Sequence, residues 1–394
     1  MQKLKKYHHL AKQISMNLKY ILLHLSRLIT GAVFVFSGFV KGVDPLGTAF
    51  KLQDYFNAYG TLWASDYALA LSILLCTVEF IIGAALILSL HIRLTSWLLL
   101  FMMSFFTLLT FYDALYAPVT DCGCFGDAIK LTNWQTFYKN LVLMIPTLMV
   151  FINRSRFRPM VMPLVQNILL VLIMAAFVGM SVWQYENEPF IDFRPWKVGN
   201  RVLPDPEAEM RVFVKYQNKE TGEIREYLSP NFPWNDPEWM AAWEFLDQRT
   251  EFDSDHIIHG LMAEDESGND FTQFLLGGDA MFVIVSWDAA KAPERGWNKA
   301  SALIEMLTEA NRHVALLTAS LPEDMEALRK RYVLDAETFY ADGTTLKTMI
   351  RSNPGLVLFH KGFVAGKWHF NNFPGPAELE EILHKLEHTQ TQTR

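Results

Sequence analysis

Five apolar stretches, at 21–40, 67–90, 94–116, 137–152 and 161–183, dominate the first half of the sequence and limit what it can fold into. A bilayer crossing takes roughly 20 helical residues. These stretches are each about that length, so they predict a membrane all-α helical bundle of five spans, the fourth of them short. Residues 1–20 form a basic lead with Lys3, Lys5, Lys6, Lys12 and Lys19. Phe36-Ser37-Gly38-Phe39 offers no small-x-small cleavage site, so the first span is expected to be retained rather than removed as a signal peptide. After the break at Asp44-Pro45, residues 48–59 predict a short amphipathic helix lying on the membrane surface.

Charge divides the chain in two. Of 35 Lys/Arg and 42 Asp/Glu, residues 1–183 hold 14 and 7, which leaves 21 and 35 for the rest. A membrane module followed by an acidic soluble module fits that split, and the acidic part is a poor surface for nucleic acid or anionic lipid. The positive loops are the lead, His91–Arg93, and Arg154, Arg156 and Arg158. Placing them in the cytoplasm puts the amino terminus inside and the carboxyl module outside. In a bacterium this means the inner membrane and the periplasm, where a cysteine pair can be oxidised.

Between the third and fourth spans lies Asp121-Cys122-Gly123-Cys124-Phe125-Gly126-Asp127, with two of the chain's 3 cysteines. Cys122 and Cys124 can close into a small strained ring that is easily reduced, which suits electron shuttling. The alternative is a tight turn in which cysteine is only a small apolar residue. A metal site lacks further ligands nearby. Cys76 is expected to be a packed thiol. Glu79 lies deep in the second span and Arg27 in the first, where a lone charge costs about 2.5–3.5 kcal/mol. Glu79 suits either a proton relay or quinone-site carboxylate, or else an ion pair with Arg27 or Lys41.

Three motifs now converge: Gly38-Phe39-Val40-Lys41-Gly42-Val43-Asp44-Pro45, Glu79-x-x-x-Gly83, and Cys122-Gly-Cys-Phe-Gly-Asp127. Together they resemble the DoxX/MauE-like membrane proteins across residues 20–155, a four-helix core to which the fifth span is an addition. The resemblance implies redox chemistry, including quinone-coupled oxidation and maturation of periplasmic proteins.

The carboxyl half begins with a proline-rich exit (Pro189, Pro195, Pro204, Pro206), followed by a hairpin over 211–227 and a short helix over 239–245. Strand, helix, strand, helix, then a hairpin and a last helix follow from residue 281, an α/β layer with parallel central strands. This order resembles the thioredoxin fold over about 275–388, with Asn353-Pro354 at the position of its cis-proline. The loop after the first strand, Trp287 to Pro293, holds no cysteine, so this soluble α/β thioredoxin-like domain cannot exchange disulfides itself. Trp287, Asn353 and Pro354 are then candidates for partner binding, with a core role for Trp287 as the alternative. His256-x-x-His259 is the one tight histidine pair and reads as surface. The acidic turn at 265–270 lacks a full calcium-loop pattern.

The expected domains are 1–20, 21–158, 159–184, 185–274 and 275–394. Two functions compete: a redox membrane protein working through Cys122 and Cys124 with Glu79, a quinone and a periplasmic or membrane protein partner, or a non-enzymatic scaffold whose soluble domain binds a partner.

Overall fold

The computed structural model describes residues 2–119, 121–203, 210–252 and 260–389, and the chain forms two compact units, residues 1–194 and 195–394. Pro204, Pro206 and the His256/His259 pair lie outside the described residues.

Among the described residues of the first unit, five helices are long and apolar enough to cross a membrane. They are α1 (Gln2–Val43), α3 (Ala68–Leu88), α4 (Ile92–Tyr116), α5 (Asn133–Ile152) and α6 (Pro163–Glu186), with α2 (Pro45–Ala58) between the first two. The fourth span is longer than its apolar run suggests. Thr132 accepts from the Gln135 amide at 3.2 Å while the Gln135 side chain accepts from the Thr132 amide at 2.9 Å, so α5 starts with its end groups satisfied.

Helix α2 is built into the bundle rather than laid upon it. Asp44 accepts from the Gly47 amide at 2.9 Å, the Ser72 hydroxyl donates to the Pro45 carbonyl at 2.6 Å, and the Tyr55 hydroxyl donates to Asp113 at 2.6 Å. Helices α1 and α3 meet backbone to backbone. A Cβ on Gly83 would stand 2.5 Å from the Val35 nitrogen and 2.7 Å from the Gly31 carbonyl oxygen. Small residues at such a crossing let two membrane helices come close.

In the second unit, β1 (Met210–Asn218), β2 (Ile224–Leu228) and β3 (Trp243–Phe252) make a three-stranded antiparallel sheet in the order β2-β1-β3. The helix expected over 239–245 is α7 (Pro237–Ala242), capped by Asp236. It stops early because residues from Trp243 onward pair with β1 instead.

After α8 (Thr272–Gly277), a helix too short to show in the sequence pattern, the main sheet is built from β4 (Met281–Ser286), β5 (His313–Thr318), β6 (Glu337–Tyr340), β7 (Gly355–His360) and β8 (Phe363–His369). Its order is β6-β5-β4-β7-β8, with β4, β5 and β6 parallel, β7 antiparallel to β4, and β8 antiparallel to β7 in a closing hairpin. Helices α9 (Glu294–Glu309), α10 (Pro322–Tyr332), α11 (Gly343–Met349) and α12 (Pro376–Thr389) complete the layers. The Asn353-Pro354 peptide is cis and immediately precedes β7. This is the thioredoxin-like arrangement.

Alternation along β4 sends Met281, Val283 and Val285 to one core and Phe282 and Ile284 to the other. Trp196 and Val202 are buried in the first of these cores, so this later part of the proline-rich exit is packed against the sheet rather than free.

Candidate functional site

The loop between α4 and α5 is shaped by its own sequence. Asp121 accepts from the Gly123 amide and from the Lys51 ammonium, each at 3.0 Å. Gly123 has φ +63°, a left-handed conformation that glycine adopts without a Cβ penalty. That turn brings the two neighbouring side chains together: the sulfurs of Cys122 and Cys124 lie 2.7 Å apart as free, half-buried thiols. The hydrogen bond from Cys122 lowers the Cys124 thiol to about 7; burial opposes this, and the Lys139 and Lys41 ammonium groups add to it. The same bond raises Cys122. Since the thiolate is the nucleophile and the better leaving group, Cys124 is the more reactive sulfur of the two.

The loop rests on charged and polar groups supplied by α1 and α3. Lys41 pairs with Glu79 at 2.5 Å, and the two are 5% and 2% exposed, so this is a buried ion pair. The Ser37 hydroxyl, one helical turn before Lys41, lies 2.9 Å from Glu79 Oε2 and 2.8 Å from the Cys124 carbonyl oxygen. Thus the glutamate reaches the cysteine loop through a single side chain.

Arg27 is not its partner. It precedes Lys41 by fourteen residues, about 21 Å along a helix, and its guanidinium lies 5.6 Å from the Phe157 ring centre. Its Nε and Nη1 make no hydrogen bond among the described residues. Cys76, one turn before Glu79, is fully buried.

Beside the thiols is a cavity of about 360 Å³. Its walls are mostly apolar, with Phe34, Leu75, Met103, Phe106 and Leu143 among them, while Lys41, Lys51, Lys139, Tyr55 and Glu79 gather near the two cysteines. Lys139 stands 4.3 Å from the Phe125 ring centre and makes no ion pair among the described residues. Sequence reasoning passed over Ser37, Lys51, Tyr55 and Lys139. Lys139 did carry a signal, since a cation inside an apolar span marks a function or a buried partner. Ser37 also had one, because it sits at i−4 from Lys41 and so on the same helix face.

The three candidates for partner binding belong to the second unit. Asn353 and Pro354 are buried. The Asn353 side chain accepts from the Ser286 hydroxyl at 2.7 Å and donates to the Asp288 carbonyl at 2.6 Å, holding the cysteine-free loop to β7. Trp287 is half-buried, packed on one core with the Lys347 ammonium 5.8 Å from its ring centre. No group of three or more His, Cys, Asp or Glu among the described residues could hold a metal ion.

The stretch that contains α1 to α5, and with it the ion pair and the cysteine loop, matches a known family. Residues 19–153 match the family described as Methylamine utilisation protein MauE. With its five spans, the chain is a membrane protein. Residues beyond the MauE match include the fifth span and the whole second unit. No curated protein matches the chain. Solved structures similar to it include a thioredoxin-like protein from Aeropyrum pernix, at 17% identity over 32% of this chain and 89% of that one, TM-score 0.26. A SCO1/SenC family lipoprotein from Bacillus anthracis shows 14% identity over 33% and 93%, TM-score 0.26. Yeast Sco1 shows 16% identity over 34% and 94%, TM-score 0.25. The thioredoxin-like assignment rests on the strand order given above.

Proposed function

We propose that this protein is a membrane thiol oxidoreductase in which Cys122 and Cys124 alternate between disulfide and dithiol. The observation that carries this is the placement of two facing sulfurs at the polar end of an apolar cavity inside a bundle of spans. A partner protein's two thiols reduce the Cys122–Cys124 disulfide: two S–H bonds break in the partner and its disulfide forms, while the pair gains two electrons and two protons. The lowered Cys124 thiol supports this direction, because a stabilised thiolate favours the reduced pair and makes it an oxidant of its partner.

Cys122 and Cys124 then return both electrons and both protons to a lipid-soluble acceptor of the quinone class, which becomes the quinol. The apolar walls fit such a molecule's body, and the Lys139 and Lys51 ammonium groups supply donors for its ring oxygens. Glu79, beside Lys41, serves as a proton carrier. The soluble domain has no cysteine and acts as the docking module for the partner, with Trp287 as its candidate anchor. The description attached to the MauE family concerns methylamine utilisation and names no chemistry, so the site itself carries the reading.

Thiol trapping tests it. In liposomes containing a short-chain quinone, wild-type protein should lose two of its 3 alkylatable thiols under denaturing conditions and regain them with reductant. Cys122→Ser and Cys124→Ser should each stay unchanged by either treatment. Three alkylatable thiols in every wild-type sample would exclude a redox role for the pair. During native alkylation, the fast-reacting thiol should be Cys124, its rate rising as pH passes through about 7.

On this reading each of the five apolar helices crosses once, so the cysteine loop and the second unit share one side of the membrane. We assign that side to the periplasm, on the positive charge of the opposite loops. Reporters fused after Phe157 should be active only as cytoplasmic reporters, and those fused after Asn200 only as periplasmic ones. The reverse pattern would put the cysteine loop in a reducing compartment.

A further inference from the structure

Ser37 has one hydroxyl hydrogen and two oxygens competing for it. A serine hydroxyl carries a single O–H and two lone pairs, a carbonyl only accepts, and a carboxylate only accepts unless it is protonated. Glu79 Oε2 at 2.9 Å and the Cys124 carbonyl oxygen at 2.8 Å both face that one hydrogen. The Lys41 ammonium is on the other carboxylate oxygen, Oε1, which leaves Oε2 to Ser37.

The state of Glu79 therefore decides where the hydrogen points. With Glu79 ionised, the charge-assisted bond to the carboxylate is the stronger one, and the Cys124 carbonyl loses Ser37 as its donor. With a proton on Oε2, Glu79 donates to Ser37 and Ser37 donates to Cys124, so both contacts are satisfied at once. We propose that Ser37 is a positioning residue that couples the proton on Glu79 to the backbone of Cys124, and so to opening and closing of the cysteine pair. Coupling of this kind is reciprocal: closure of the pair shifts the proton affinity of Glu79 by the same factor by which that proton shifts closure.

The inference rests on the dithiol reading above but has its own readout. Other titratable groups around Glu79 are Lys41 on α1, Cys76 on α3, Lys51 on α2, Lys139 on α5, and Cys122 and Cys124 in the loop. Asp121 is turned to Lys51, and Asp113 on α4 to Tyr55. None of these stands between Glu79 and the Cys124 carbonyl in the way that Ser37 does.

Infrared difference spectroscopy on the purified full-length protein tests the coupling. Diamide is the oxidant: two cysteine S–H bonds break, one S–S bond forms, and the azo compound takes both hydrogens with two electrons to become the hydrazine. Wild type should lose the S–H absorption of two thiols, that of buried Cys76 remaining, together with a change in a carboxyl band. That carboxyl band should move on labelling with ¹³C-glutamate and be absent from Glu79→Gln. Ser37→Ala should keep the S–H loss and lose the carboxyl change, while Ser37→Thr, which retains the hydroxyl, restores it. A wild-type carboxyl band that stays still, or a change that survives in Ser37→Ala, overturns the coupling and leaves the redox reading standing. Absence of any S–H loss overturns both. Labelling assigns the band to glutamate without any variant, and Ser37→Ala against Ser37→Thr ties it to the Ser37 contact, so the outcome does not depend on Glu79→Gln folding.

Discussion

Glu79→Leu is expected to lower folding stability by about 3–5 kcal/mol, because it strands the Lys41 ammonium in a site where that cation is only 5% exposed. Removing one member of a buried pair leaves the other charge desolvated and unpaired, which is worse than removing both. The double variant Lys41→Met with Glu79→Leu should therefore recover most of the folded yield and of the melting temperature in detergent. Recovery of structure without recovery of cysteine turnover would separate the two roles of the pair, since a purely structural ion pair is dispensable once both charges are gone. A Glu79→Leu protein that melts with wild type would mean that Lys41 finds water or another acceptor, and the buried pair would no longer hold the site together.

How much of this was legible in the sequence depends on which physical signal each feature leaves. Spans and central strands announce themselves, because burial in lipid or inside a two-sided sheet demands long or short unbroken apolar runs. Stretches such as Met281 to Ser286, buried at every position, leave little else to read. The boundary between α7 and β3 was misplaced because Trp243 and Phe245 suit either element, and pairing with β1 decides between them.

At the site, the sequence supplied both cysteines and the glutamate, since charge in an apolar span and paired thiols are rare enough to stand out. It could not choose between Arg27 and Lys41, which requires knowing how α1 is shifted along α3. Ser37 left a still fainter mark. A lone serine in a helix carries no charge, and its importance appears only once the Cys124 carbonyl is brought over it by the turn at Gly123.

That shift of α1 along α3 is set by glycine, which leads to the second large effect. Gly83 is one turn after Glu79, and its missing side chain is what lets Val35 and Gly31 of α1 come against α3. In Gly83→Leu the new atoms meet the Val35 nitrogen at 2.5 Å and the Gly31 carbonyl oxygen at 2.7 Å, which are backbone atoms and cannot rotate away. Overpacking typically costs about 1–3 kcal/mol, and an obstacle made of backbone puts this case at or above the top of that range. The helices can accept the side chain only by separating, and separation lengthens the contacts of Glu79 with Lys41 and with Ser37 together. Gly83→Leu should thus lower the melting temperature and also change the alkylation rate of Cys124, more than a turn away from the substitution. Gly179→Leu on α6 is the control, because nothing lies within 4 Å of where its Cβ would be, and replacing an exposed helical glycine is neutral or favourable by up to about 1 kcal/mol. Equal melting of the two variants would show that α1 and α3 have room to spare at Gly83, and the close crossing would then not be what brings Glu79 to Lys41.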